Sequence, residues 1–123
     1  MRARCHCGAV VIEFTLVGGL EDASRCDCSL CRRVKPAAVT SRRGLLEVVS
    51  GQKDLRLYQF GTKTAKHWFC SHCGTHTHHQ RRLNPEEFGI NVGCIEGIDP
   101  RLAGQATWVE GVNHPADADP DEP

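Results

Sequence analysis

Seven of the eight cysteines in this 123-residue chain stand in three tight clusters: Cys5-His6-Cys7-Gly8, Cys26-Asp27-Cys28-Ser29-Leu30-Cys31 and Cys70-Ser71-His72-Cys73-Gly74. No other feature limits the possible folds as strongly. Zinc takes four soft or borderline ligands tetrahedrally, so two short-range pairs brought together complete one shell, whereas a triplet fills only three corners. The spacings predict two zinc ions: a structural ion held by Cys5, Cys7, Cys70 and Cys73, and a second held by Cys26, Cys28 and Cys31 with a position left open. The closed site would tie the first strand to the middle of the chain across 62 intervening residues.

Other readings of a cysteine pair are a disulfide, a redox Cys-x-x-Cys or buried apolar thiols. A redox motif stands at a helix start in a βαβ unit, and no helical pattern follows Cys73. The first residues, Met1-Arg2-Ala3-Arg4, carry no apolar signal core, and no run approaches the roughly 18 apolar residues of a membrane span. The expected compartment is cytoplasmic, with no membrane partner, and there thiols stay reduced. For the triplet, a second structural site closed by Cys94, a histidine or Asp27 stands beside the open catalytic site, because an open zinc position is the mark of catalysis.

Composition divides the chain into one domain over residues 1–112 and an acidic tail over 113–123. The tail carries Asp117, Asp119, Asp121 and Glu122 with three prolines and no Lys or Arg, too little apolar surface to offset its ordering entropy. The body then holds 15 basic against 11 acidic side chains, too slight a bias to indicate nucleic acid. A body of this size buries only about two thirds of its unfolded surface, so metal is a substantial part of its stability.

Short alternating segments predict a small all-β fold with little helix. Val10, Ile12, Phe14 and Leu16 share one face, opposite Val11, Glu13 and Thr15. Further strands are expected over Ala37–Ser41, Leu45–Val49, Leu55–Phe60, Thr64–Phe69, His76–Gln80, Phe88–Cys94 and Thr107–Val109. Asn84-Pro85-Glu86-Glu87 combines an N-cap, a first-turn proline and acids at the positive end, enough for a single turn. In Cys5-x-Cys7 an extended backbone would point both thiols to one face, and Gly74 suits the positive φ of a knuckle turn after Cys73.

Candidates for chemistry beside the open zinc are few. Arg32, Arg33 and Lys35 directly follow the triplet and would attract an anionic thiol, or else form a solvated loop. His76 and His78 share a strand face and would serve as ligand or acid/base group, since imidazole titrates near neutrality. Trp68 and Phe69 read as core, and Trp108 as core or as a ligand-stacking group.

Three motifs in order, Cys-x-Cys-Gly-Ala-Val at Cys5, Cys-x-Cys-Ser-x-Cys-Arg-Arg at Cys26 and Phe-Cys-x-x-Cys-Gly-Thr at Phe69, closely resemble the glutathione-dependent formaldehyde-activating (Gfa-like) family, which includes centromere protein V. The resemblance covers residues 3–112. It implies an Mss4-like β-tent of antiparallel sheets, a structural zinc on Cys5, Cys7, Cys70 and Cys73, and a second zinc on Cys26, Cys28 and Cys31. It also implies carbon–sulfur lyase chemistry on a small thiol–aldehyde adduct such as S-hydroxymethylglutathione, with glutathione as the small-thiol partner. The competing expectation is a zinc-stabilised protein-interaction module of the same fold. A pure scaffold has no need of an open metal, which favours the enzyme.

Overall fold

The computed structural model describes residues 1–34, 37–99, 101 and 106–109. Among the described residues, ten strands follow one another as β1 (Arg2–Arg4), β2 (Val11–Phe14), β3 (Ser24–Cys26), β4 (Ala38–Arg42), β5 (Leu46–Ser50), β6 (Leu55–Tyr58), β7 (Lys66–Cys70), β8 (His76–Gln80), β9 (Glu87–Asn91) and β10 (Thr107–Val109), with one short α-helix, α1 (Cys31–Val34), after β3. They form a small sheet ordered β1-β2-β5 and a seven-stranded sheet ordered β10-β3-β4-β9-β8-β7-β6. All pairings are antiparallel except that between β10 and β3.

Period-2 alternation explains how the two sheets meet. Val10, Ile12 and Phe14 are buried, Leu16 packs against them, and Glu13 turns outward to pair with Arg2 at 2.8 Å. From the larger sheet, Val39 and Ile90 enter the same core, joined by Val92 just beyond β9. Each such side chain contributes about 1.5–3 kcal/mol by leaving water. Cys5 and Cys70 are members of this core, so the first cysteine cluster is continuous with the packing that joins the sheets.

Local chemistry explains the departures from the expected strands. The strand expected to run to Cys94 stops at Asn91, whose side chain accepts a hydrogen bond from the Gly93 amide at 3.0 Å and starts a 3-10 turn over Val92–Cys94. Asn84 does cap a turn, its Oδ1 accepting from the Glu86 amide at 3.1 Å. Strands β1 and β3 were not expected. Arg-Ala-Arg and Ser-Arg-Cys carry almost no apolar alternation, and their neighbours recruit them. The acidic tail over 113–123 lies outside the described residues.

Candidate functional site

The first cluster is built by two turns. A tight turn carries Cys5 and Cys7 between β1 and β2: the Gly8 amide donates to the Cys5 carbonyl at 3.1 Å, and the Cys5 amide to the Val10 carbonyl at 3.1 Å. The extended Cys5-x-Cys7 segment expected from spacing is therefore replaced by a knuckle, which also aims the Val10 amide at Cys5 Sγ, 3.3 Å away. The second knuckle follows β7. Gly74, at φ 76°, donates from its amide to the Cys70 carbonyl at 2.8 Å, a conformation that costs a glycine nothing. His72 Nε2 lies 2.8 Å from Asp54 Oδ1, and the Ser71 amide donates to the Asp54 carbonyl, anchoring this turn to the approach to β6.

The four sulfurs all lie within 4.8 Å of one another, with Cys5–Cys7 at 3.6 Å and Cys7–Cys70 at 3.7 Å. A zinc–sulfur bond of about 2.3 Å gives a tetrahedron with edges of about 3.8 Å. A disulfide needs about 2.05 Å, so the spacing fits four thiolates around one divalent ion. The protons are unevenly shared. Although burial pushes the Cys73 thiol up, hydrogen bonds led by the Thr75 hydroxyl outweigh it and hold the thiol at about 5. The Ala9 amide favours the Cys7 thiolate, but desolvation and the neighbouring sulfurs push that thiol up to about 11. A divalent ion bound by the four sulfurs would displace the remaining thiol protons.

The second cluster gathers on one short segment: Cys26 ends β3, Cys28 lies in the following loop and Cys31 opens α1. The Asp27 amide donates to the Val109 carbonyl at 3.3 Å, holding the loop against β10, and the Cys31 amide donates to Cys28 Sγ at 3.3 Å. All three sulfurs lie within 4.8 Å of one another, and hydrogen bonds from Cys26 and Cys31 hold the Cys28 thiol far below its ordinary range. Soft thiolate donors at this separation suit zinc. Among the described residues, no fourth His, Cys, Asp or Glu ligand atom joins the three. Cys94 is instead buried in the core, its sulfur 3.5 Å from the His76 carbonyl.

A cavity of about 600 Å³ opens beside the triplet, and Cys26, Cys28 and Cys31 all line it. Its other polar lining includes His67, His79, Arg81, Arg82 and Glu87, and its apolar lining includes Phe60, Leu83 and Val109. Arg81 Nη1 pairs with Glu87 Oε1 at 3.4 Å, both side chains about a quarter exposed.

This cavity replaces several of the side chains expected from sequence. His76 and His78 do not line it. His78 is buried and stacks on Trp68, ring centroids 4.7 Å apart, while His76 stacks on Phe69 at 5.4 Å. Alternation along β8 gives the cavity to His79 instead, with His67 its register partner on β7. Likewise Arg32 and Arg33 are exposed on α1 and do not line the cavity, where Arg81 and Arg82 do; Lys35 lies outside the described residues. Trp68 packs against the core as expected, whereas Trp108 is exposed beneath Arg25, whose guanidinium carbon stands 4.4 Å from the ring centroid. The sequence signal for the cavity residues was faint: His79 follows His78 directly, and Arg81-Arg82 follow the strand that carries both.

Comparison with known proteins places this geometry among relatives. A family model described as glutathione-dependent formaldehyde-activating enzyme matches residues 1–110. The crystal structure of a Rhodobacter sphaeroides protein, a structural-genomics target, is 57% identical with a TM-score of 0.83, the match covering 89% of this chain and 100% of that one. The small all-β architecture is the Mss4-like one expected.

Proposed function

The chain belongs to the glutathione-dependent formaldehyde-activating enzyme family, and from that premise we propose that it makes and breaks the carbon–sulfur bond of a small thiol–aldehyde adduct, S-hydroxymethylglutathione or a close analogue, at the three-cysteine site. The observation that carries this reading is the opening of that thiol triplet onto a cavity that also holds cationic side chains. When bound there, zinc would supply a fourth position at which an incoming thiol is held as its thiolate.

The chain's own residues account for binding and orientation. Arg81 and Arg82 offer guanidinium groups to the carboxylates of glutathione, and Glu87 offers a partner for its ammonium group. Phe60, Leu83 and Val109 line the same space with apolar surface. The thiol sulfur gains a bond to the aldehyde carbon, the carbonyl oxygen gains a proton, and reversal of these events is the lyase direction. Cys5, Cys7, Cys70 and Cys73 take no part in this chemistry and serve the fold.

Carbon-13 exchange spectroscopy between formaldehyde and its glutathione adduct tests the reading. The zinc-loaded wild type should speed exchange above the spontaneous rate, and Cys28→Ser should return it to that rate. Equal exchange in the two proteins would leave a zinc-stabilised interaction module as the better account.

A further inference from the structure

A column of rings crosses the cavity side of the larger sheet. Tyr58 on β6, His67 on β7, His79 on β8 and Gly89 on β9 are successive register partners. The Phe60 ring stands beside both Tyr58 and His67, with centroids 6.0 Å and 5.8 Å away, and His67 stacks on His79 at 5.4 Å with the planes 17° apart. The column ends on bare backbone. A methyl group at Gly89 would collide with His79 Cε1 and stand 2.8 Å from both ring nitrogens.

Glycine inside a strand weakens it and marks a bulge, a bend or a close approach. Gly89 pairs in regular register with Thr40 and His79, and it is absent from the positive-φ residues, so neither a bulge nor a turn explains it. The close approach is that of the imidazole. His67 on one side and the Gly89 backbone on the other thus hold the His79 ring at the cavity.

We propose that His79 carries the proton in the thiol–aldehyde reaction and that Gly89 is the positioning residue that seats its ring, an inference that rests on the lyase reading above. In adduct formation the thiolate sulfur gives its electron pair to the carbonyl carbon, the π pair moves to oxygen, and the His79 imidazolium protonates that oxygen. In reverse, His79 takes the hydroxyl proton, the carbon–oxygen double bond reforms, the carbon–sulfur bond breaks and sulfur keeps the pair. Imidazole suits both directions because its two forms coexist near neutral pH. His79 shares the cavity with His67 from β7, Glu87 from β9, Arg81 and Arg82 after β8, and the three cysteines around α1.

The test measures the pH profile of adduct exchange in zinc-loaded wild type, His79→Gln, His67→Gln and Gly89→Ala, together with imidazole NMR titrations, zinc content and melting of the same proteins. His79→Gln should lower the rate about 10²–10⁴-fold and erase the near-neutral limb of the profile while zinc content holds. His67→Gln should keep that limb. Gly89→Ala should keep it at a reduced rate and shift the His79 ring resonances. A near-neutral limb that survives His79→Gln overturns the proton assignment alone, and unmoved His79 resonances in Gly89→Ala overturn the seat. A wild type without acceleration overturns the lyase reading and the proton transfer with it, and the seat then stands or falls on the NMR result.

Discussion

Replacing Cys73 by serine should damage the fold far more than replacing Cys28, although each substitution removes one sulfur from one cluster. A metal on the four-cysteine site would close the chain between Cys7 and Cys70 over 62 intervening residues, whereas one on the triplet would close Cys26 to Cys31 over four. Loop-closure entropy makes the longer tie worth about 2 kcal/mol more. For a domain of this size, about 4 °C of melting temperature per kcal/mol turns that into a difference of about 8 °C. The difference is a lower bound, because Cys5 and Cys70 are 2% and 0% exposed and sit in the apolar core that joins the two sheets. Structural zinc in small domains supplies on the order of 10–16 kcal/mol, comparable to an entire domain's stability of about 5–15 kcal/mol, so insolubility of Cys73→Ser is the same outcome at its extreme. Melting followed by circular dichroism, with zinc per chain measured on the same samples, reads the effect. Cys28→Ser should melt cooperatively near wild type with one zinc fewer. Equal lowering of the two melting temperatures would refute the division into a fold-holding site and an open one.

Two further outcomes follow from the same geometry. Protein purified without chelator should contain two zinc ions per chain by elemental analysis; a ratio near one, with Cys26, Cys28 and Cys31 alkylated by iodoacetamide, would remove the second site. Deleting residues 113–123 should leave the melting temperature nearly unchanged, because that segment has almost no apolar side chain to bury; a fall of many degrees would show that it docks.

The cysteine pairs and the triplet that could hold metal were legible before any fold was known, because short-range cysteine spacing is a local property and survives any arrangement of the rest of the chain. The same holds for the inward face of β2 and for the strand at His76–Gln80, where alternation is written into adjacent residues. Even there, local geometry had more than one solution: the pair Cys5 and Cys7 converges through a turn rather than an extended strand. The composition of the cavity was different in kind. Its lining comes from β3, the segment into α1, β4, the β6–β7 loop, β7, β8, the β8–β9 loop, β9 and β10, segments far apart in sequence that meet through the order of strands in the larger sheet. Period 2 correctly separates His78 from His79, but only the pairing of β8 with β7 and β9 decides which face is cavity and which meets Trp68. Arg32 and Arg33 directly follow the triplet along the chain, yet the four-residue helix α1 leaves them exposed, and Arg81 and Arg82 reach the cavity instead. Sequence by itself determined which atoms can hold metal, because ligands two or three residues apart are bound to meet. Tertiary structure alone decided which imidazole and which guanidinium share the space beside the triplet, because that depends on strand register, and a shift of one residue sends every side chain to the opposite face.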